Sequence, residues 1–271
     1  MSKQGSSLKD ALQSIFATGA ILIAFLVSLY LYFYIMGDGA NFEGGNPDMA
    51  PLPGNYLATI YKGGMIVPIL MTCVLTILIF TFERAITLGR AKGKGRLNTF
   101  VRNLQNLLAN DKIEDALAAC DAQKGSLANV MKAGLIRYRD LQKDTELEKD
   151  QKILSIQKSL EEATALELPM LSRNLVMFST LASISVLIGL IGTVLGMIKA
   201  FSALAQAGAP DALALATGIS EALINTAFGI TGSCIAIIMY NYFSTKIDGY
   251  TFRIDEAGFS LTQTFATSLK K

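Results

Sequence analysis

Four polar side chains set in apolar sequence are placed to do chemistry: Thr193 in IGTVLGM, and Glu221, Asn225 and Thr226 in GISEALINTAFG. Glu221 is the one carboxylate well placed within an apolar stretch. Burying an ionised carboxylate in hydrocarbon costs roughly 2.5–3.5 kcal/mol on insertion scales, so such a group has to be neutral, wetted or paired. Glu221 is therefore a candidate for the mouth of a proton or cation path. The competing reading is an acid favoured by the helix dipole, because Glu221 falls in the first turn of its apolar stretch. A lone threonine in a membrane helix satisfies its hydroxyl on the preceding turn and means little. Thr193 and Thr226, however, both lie on stripes of small residues. Ser185, Gly189, Thr193, Gly196 and Ala200 step by three or four, as do Gly218, Ala222, Thr226, Gly229, Ser233 and Ala236. Such stripes let helix backbones approach closely, and Gly189, Gly192, Gly196, Gly218, Ala222 and Gly229 are the packing candidates. Asn225 needs a partner in a dry environment, either as interhelical glue or as an ion contact.

The elements that must hold these residues are membrane helices. The chain has 271 residues, 51% hydrophobic and only 17% charged, against about 25% charged in soluble domains. Four apolar segments, 15–36, 63–82, 174–201 and 218–243, have the length of roughly 20 residues that crosses a bilayer. The expected fold is all-α and polytopic, with a helical domain at 83–173 and loops at 37–62 and 202–217. Segment 15–36 exceeds the usual apolar core of a signal peptide and is read as an uncleaved extra helix. Its Leu22, Ile23, Phe25, Leu26 and Leu29 give no polar stripe, which predicts a peripheral, lipid-facing helix. Leu97, Val101, Leu104 and Leu108 keep one apolar face, and Ile153, Ile156, Leu160 and Ala163 another. Pro169 is placed to kink a helix leading into the third span.

Lysine and arginine placement sets the orientation. The loop 37–62 carries Asp38, Glu43 and Asp48 but one cation, Lys62, whereas Arg90, Lys92, Lys94 and Arg96 follow the second span. Those four are expected on the cytoplasmic side, in contact with anionic lipid head groups. Both termini, 1–14 and 244–271, are then cytoplasmic, in agreement with Lys3, Lys9, Lys246, Arg253, Lys270 and Lys271. Lys199 is the exception, near the outer end of the third span, where it snorkels to the interface or meets a partner.

Histidine is absent, which argues against zinc sites and histidine-based catalysis. Cys73, Cys120 and Cys234 are odd in number, imply no disulfide framework and read as small buried residues. No triad, metal-ligand cluster or strand-flanked phosphate loop is visible, so no enzyme, metal or cofactor is expected, and no nucleic-acid partner.

The run LIGLIGTVLGMIKAF with GISEALINTAFGITGSCIAIIMYNYFSTKI resembles the last two spans of the MotA/TolQ/ExbB proton-channel family, closest to its ExbB and TolQ branch. FERAITLGRAKGK resembles the end of that family's first span. The resemblance implies a homopentamer around a dimer of a single-span ExbD- or TolR-like partner, with a TonB-like protein as a further associate. It implies that an aspartate of the partner carries the proton, that Thr193 and Thr226 line the lumen, and that Glu221 is the pore glutamate. Its location would be the bacterial inner membrane, and its work would be coupling the proton motive force to the outer membrane or cell wall. Segment 15–36 departs from the three spans of ExbB and TolQ. Four spans keep the flagellar-stator MotA type as the alternative, and a non-conducting membrane scaffold is a rival of a different class.

Overall fold

In a computed structural model, residues 3–142, 144, 147–205 and 212–268 are described, with side chains from 17 to 267. Lys3, Lys9, Lys270 and Lys271, used above for orientation, lie outside the described side chains. Part of the 202–217 loop, 206–211, lies outside as well. Among the described residues the chain is helical, without strands, and the helices are α1 (Lys3–Tyr30), α2 (Tyr56–Tyr61), α3 (Val67–Ala91), α4 (Leu97–Ala109), α5 (Ile113–Gln123), α6 (Ser126–Gln142), α7 (Lys149–Ser172), α8 (Leu175–Leu204) and α9 (Ala212–Ser268). Four helical stretches are long and apolar enough to cross a membrane: Ala17–Met36, Gly64–Ala91, Lys149–Leu204 and Ala212–Thr267. They extend past the apolar segments because the flanking polar sequence, without prolines or glycine pairs to stop it, keeps helical propensity.

The chain divides into two compact units. The first comprises Met1–Phe82 and Val176–Tyr240. In it α1 buries Ala20, Ala24, Ser28, Tyr32 and Met36, a stripe stepping by four, while Leu22, Ile23, Phe25 and Leu26 on its other faces are exposed. Tyr32 and Met36 pack with Val67 and Met71 of α3, backed by Ile224 and Phe228 of α9. Residues Leu31–Met36 wind as a π-helix, closed by Gly37 N–H donating to Tyr32 O at 2.9 Å. The loop 37–62 is folded rather than open. Asn41 Nδ2 donates to Ile35 O, Asn55 caps α2 by accepting from Leu57 and Ala58 N–H, and Lys62 Nζ donates to Pro47 O and Asp48 O.

The second unit comprises Glu83–Leu175 and Asn241–Lys271. Its core draws Phe100, Leu104 and Leu108 from α4, Met131, Leu135 and Tyr138 from α6, Ile156 and Leu160 from α7, and Ile254, Leu261 and Phe265 from α9. The Tyr138 and Phe265 rings meet edge-on at 4.5 Å. Arg84 is buried, paired with Glu83 and donating to Leu171 O at 3.3 Å. The chain stays helical through Pro169 and turns instead at Arg173 and Asn174. Asn174 takes φ +59 there, a left-handed conformation that asparagine tolerates better than most residues, and its amide donates to Glu83.

A polar seam between two glycine-striped helices

Within the first unit α8 and α9 run against each other along their small residues. A methyl group added at Gly196 would lie 2.7 Å from Ala222 N, at Gly218 2.7 Å from Ala200 N, and at Gly229 2.6 Å from Ser185 O. At Gly189 it would meet Asn225 O at 3.0 Å, and at Gly192 Asn225 Cγ at 2.6 Å. Nothing larger than hydrogen fits at these crossings, so the backbones are held at the distance their sequence permits.

That closeness brings the chemistry-bearing residues together. The Thr193 and Thr226 hydroxyls hydrogen-bond to each other. Each also donates to a carbonyl one turn back, Thr193 to Gly189 O and Thr226 to Ala222 O, both at 3.1 Å. A hydroxyl has one proton and two lone pairs, so each keeps accepting capacity while its proton is engaged. Both threonines are half-buried, leaving one side of the seam reachable. Asn225, fully buried, sits beside Thr226 and donates its Nδ2 to Gly63 O at 2.8 Å. Its amide thus ties α9 to the segment entering α3.

Glu221 lies one helical turn before Asn225 on α9 and is 7% exposed. Lys199 Nζ of α8 donates to both of its carboxylate oxygens, at 2.7 and 2.8 Å. Two sequence expectations change here. Because α9 begins at Ala212, Glu221 is not in a first turn, and a dipole effect that fades within that turn loses its force. Lys199 does not snorkel away; it reaches back along the helix to neutralise the carboxylate. A third change is Cys234, which is exposed, while Cys73 and Cys120 are buried. It faces away from α8, on the opposite side of α9 from the glycine stripe.

The structure also supplies a wall that sequence reading missed. Gly64 has φ +76, and a methyl group there would lie 2.9 Å from Glu221 Cδ and closer still to Oε1. Gly63 has no room either, its missing methyl being 2.8 Å from an Ile224 methyl. The Tyr61 carbonyl, three residues before Gly64, accepts from Tyr32 OH at 3.1 Å, and the two rings stack at 4.7 Å. A glycine pair directly before an apolar span is a breaker signal that could have pointed here. Of the basic quartet, Lys92 and Arg96 line a common cleft in the second unit; Arg90 ends α3, and Lys94 is exposed with its backbone N–H donated to Gln123 O. Among the described residues no group of histidine, cysteine and carboxylate side chains could hold a metal ion.

Residues 122–256, which contain every seam residue of α8 and α9, match the model of the MotA/TolQ/ExbB proton channel family. The chain is 38% identical over 72 residues to the biopolymer transport protein ExbB of Salmonella typhimurium, covering 27% of this chain and 30% of that protein. It is 34% identical over 79 residues to ExbB of Pseudomonas putida, covering 29% of this chain and 24% of that protein. To the Tol-Pal system protein TolQ of Pseudomonas aeruginosa it is 31% identical over 117 residues, covering 43% of this chain and 51% of that protein. The chain thus spans between about a quarter and a half of the length of these relatives. With four apolar helices and its polar seam inside the matched region, the chain is a multi-pass membrane protein that belongs to the MotA/TolQ/ExbB proton channel family, on the ExbB/TolQ branch.

Proposed function

We propose that this chain is an ExbB/TolQ-like subunit of an inner-membrane proton channel, coupling the proton motive force to work at the outer membrane or envelope. The observation that carries the reading is the half-buried hydroxyl pair Thr193–Thr226, set one to two helical turns from the paired carboxylate Glu221. Copies assemble as a homopentamer around a dimer of single-span ExbD/TolR-like partners, with both termini of the subunit cytoplasmic. A carboxylate on the partner takes and releases protons along the threonine seam. Its charge state sets which part of the surrounding wall it prefers, and the exchange drives its displacement. Glu221, held by Lys199, is the fixed charge at the outer end of that path.

The test is proton flux into proteoliposomes containing the subunit co-purified with its single-span partner. Thr193→Val with Thr226→Val keeps side-chain shape and removes both hydroxyls, and flux is expected to fall by an order of magnitude or more. Unchanged flux, with the assembly intact by size, refutes the mechanism. A passive scaffold predicts in addition that Glu221→Gln is harmless.

A further inference from the structure

In the second unit a cleft of about 670 Å³ opens between the start of α4 and the α9 segment around Gly249. Five cations line it: Lys92, Arg96 and Arg102 from one side, and Lys246 and Arg253 from the other. The acids of the neighbouring α9 turns, Asp248, Asp255 and Glu256, are not part of the lining. Among the described residues none of the five cations is in an ion pair. The floor is firm: Leu97 is buried, and Tyr250 is fixed by its hydroxyl donating to Leu88 O at 3.3 Å. Thr99, Thr245 and Asn98 add neutral polar groups.

Five like charges gathered in a concave site repel one another and raise a positive potential that focuses on an anion. Three of them are arginines, whose planar forks match phosphate oxygens in pairs, whereas lysines act as point charges. The volume exceeds that of a single phosphate ion, and the ring of Tyr250 and the methylene stems of the lysines and arginines offer apolar wall beside the charge. We propose that this cleft binds a phosphate-bearing anion larger than phosphate itself, through Arg96, Arg102 and Arg253, with Lys92 and Lys246 at its rim. The ligand comes either from an anionic phospholipid head group or from a soluble polyphosphate, and the same arginines serve both. This site is separate from the seam of α8 and α9 and does not depend on the function proposed for it.

The experiment uses the full-length protein purified in a neutral detergent, with thermal unfolding followed on titration of two probes: phosphatidylglycerol, with phosphatidylcholine as control, and inorganic pyrophosphate, with sulfate as control. The parent protein is expected to shift its midpoint upward with at least one probe and not with its control. Arg102→Gln with Arg253→Gln is expected to weaken that response at least tenfold in half-saturating concentration, while Lys112→Gln, an exposed cation of the same unit outside the cleft, leaves it unchanged. Response to phosphatidylglycerol alone assigns the ligand to the membrane; response to pyrophosphate alone assigns it to the aqueous phase; response to both supports the shared phosphate chemistry. No shift with either probe, or an equal shift in the double variant, overturns the proposal. Should the double variant fail to fold, Lys246→Gln with Lys92→Gln, both exposed at the rim, gives the same discrimination.

Discussion

Replacing Gly64 by alanine strikes the fixed carboxylate without touching either of the helices that carry the seam. The new methyl group would lie 2.9 Å from Glu221 Cδ, where ordinary contact begins at 3.4 Å. The carboxyl end of Glu221 must therefore swing back by about half an ångström or more, and Lys199 loses its grip on both oxygens. Alanine at φ +76 costs about 1–2 kcal/mol in backbone energy. The disturbed ion pair adds up to about 1 kcal/mol, since Lys199 is 61% exposed and largely screened. The sum, about 2–3 kcal/mol, amounts to several degrees in thermal midpoint. Repeating the substitution in a Glu221→Ala background separates the parts, because the side chain it collides with is then gone. There only the backbone cost of about 1–2 kcal/mol should remain, a coupling of about 1 kcal/mol between the two positions. Unfolding of the four proteins in one detergent measures it, with proteoliposome flux as the second readout. Equal losses in both backgrounds would show that Gly64 acts through its backbone alone and that the wall around Glu221 is incidental.

Other substitutions test the rest of the arrangement. Gly229→Ala forces a methyl group against Ser185 O and should separate α8 from α9, lowering the midpoint by several degrees; Gly249→Ala on the same helix meets nothing within 4 Å and should instead stabilise by about 0.5–1 kcal/mol. Lys199→Met leaves Glu221 buried without its cation, and proton flux should fall more than with Glu221→Gln, which removes the charge itself. Burial, reinforced by Asp121, pushes the Cys120 thiol up to about 12. The thiolate is the reactive form, so Cys120 should stay unmodified by iodoacetamide at pH 8 in the native protein and react once the protein is unfolded in detergent and urea. Rapid native-state modification would contradict its burial.

Much of this arrangement is legible in the sequence because period and residue size fix it. The small residues of α8 and α9 step by three or four, so they had to share a face, and Thr193 and Thr226 came with them. The apolar stripes of α4 and α7 likewise announce Leu104 and Ile156 as core. What escaped depends on contacts distant in the chain. Lys199 reads as a cation near a span's end, and only the antiparallel register of α8 on α9 reveals that Glu221 lies opposite it. The role of Gly63 and Gly64 follows from where α3 enters, which no periodicity encodes. Pro169 was the obvious place for a bend, yet the bend falls at Asn174, where an asparagine able to turn left-handed meets Glu83 beside the buried Arg84.

The π-wound turn at Leu31–Met36 has an implication for how this chain tolerates change in length. Each such turn holds one residue more than ordinary winding can accommodate. Deleting a single position there would restore regular α-helix and rotate everything downstream by about 100°. Tyr32 would then no longer aim its hydroxyl at the Tyr61 carbonyl, and Asn41 would lose the Ile35 carbonyl it now satisfies. A one-residue gap in this short stretch would accordingly disturb the approach to Gly64 more than many outright replacements, while the same gap in the exposed stretch before Leu97 would pass with little notice.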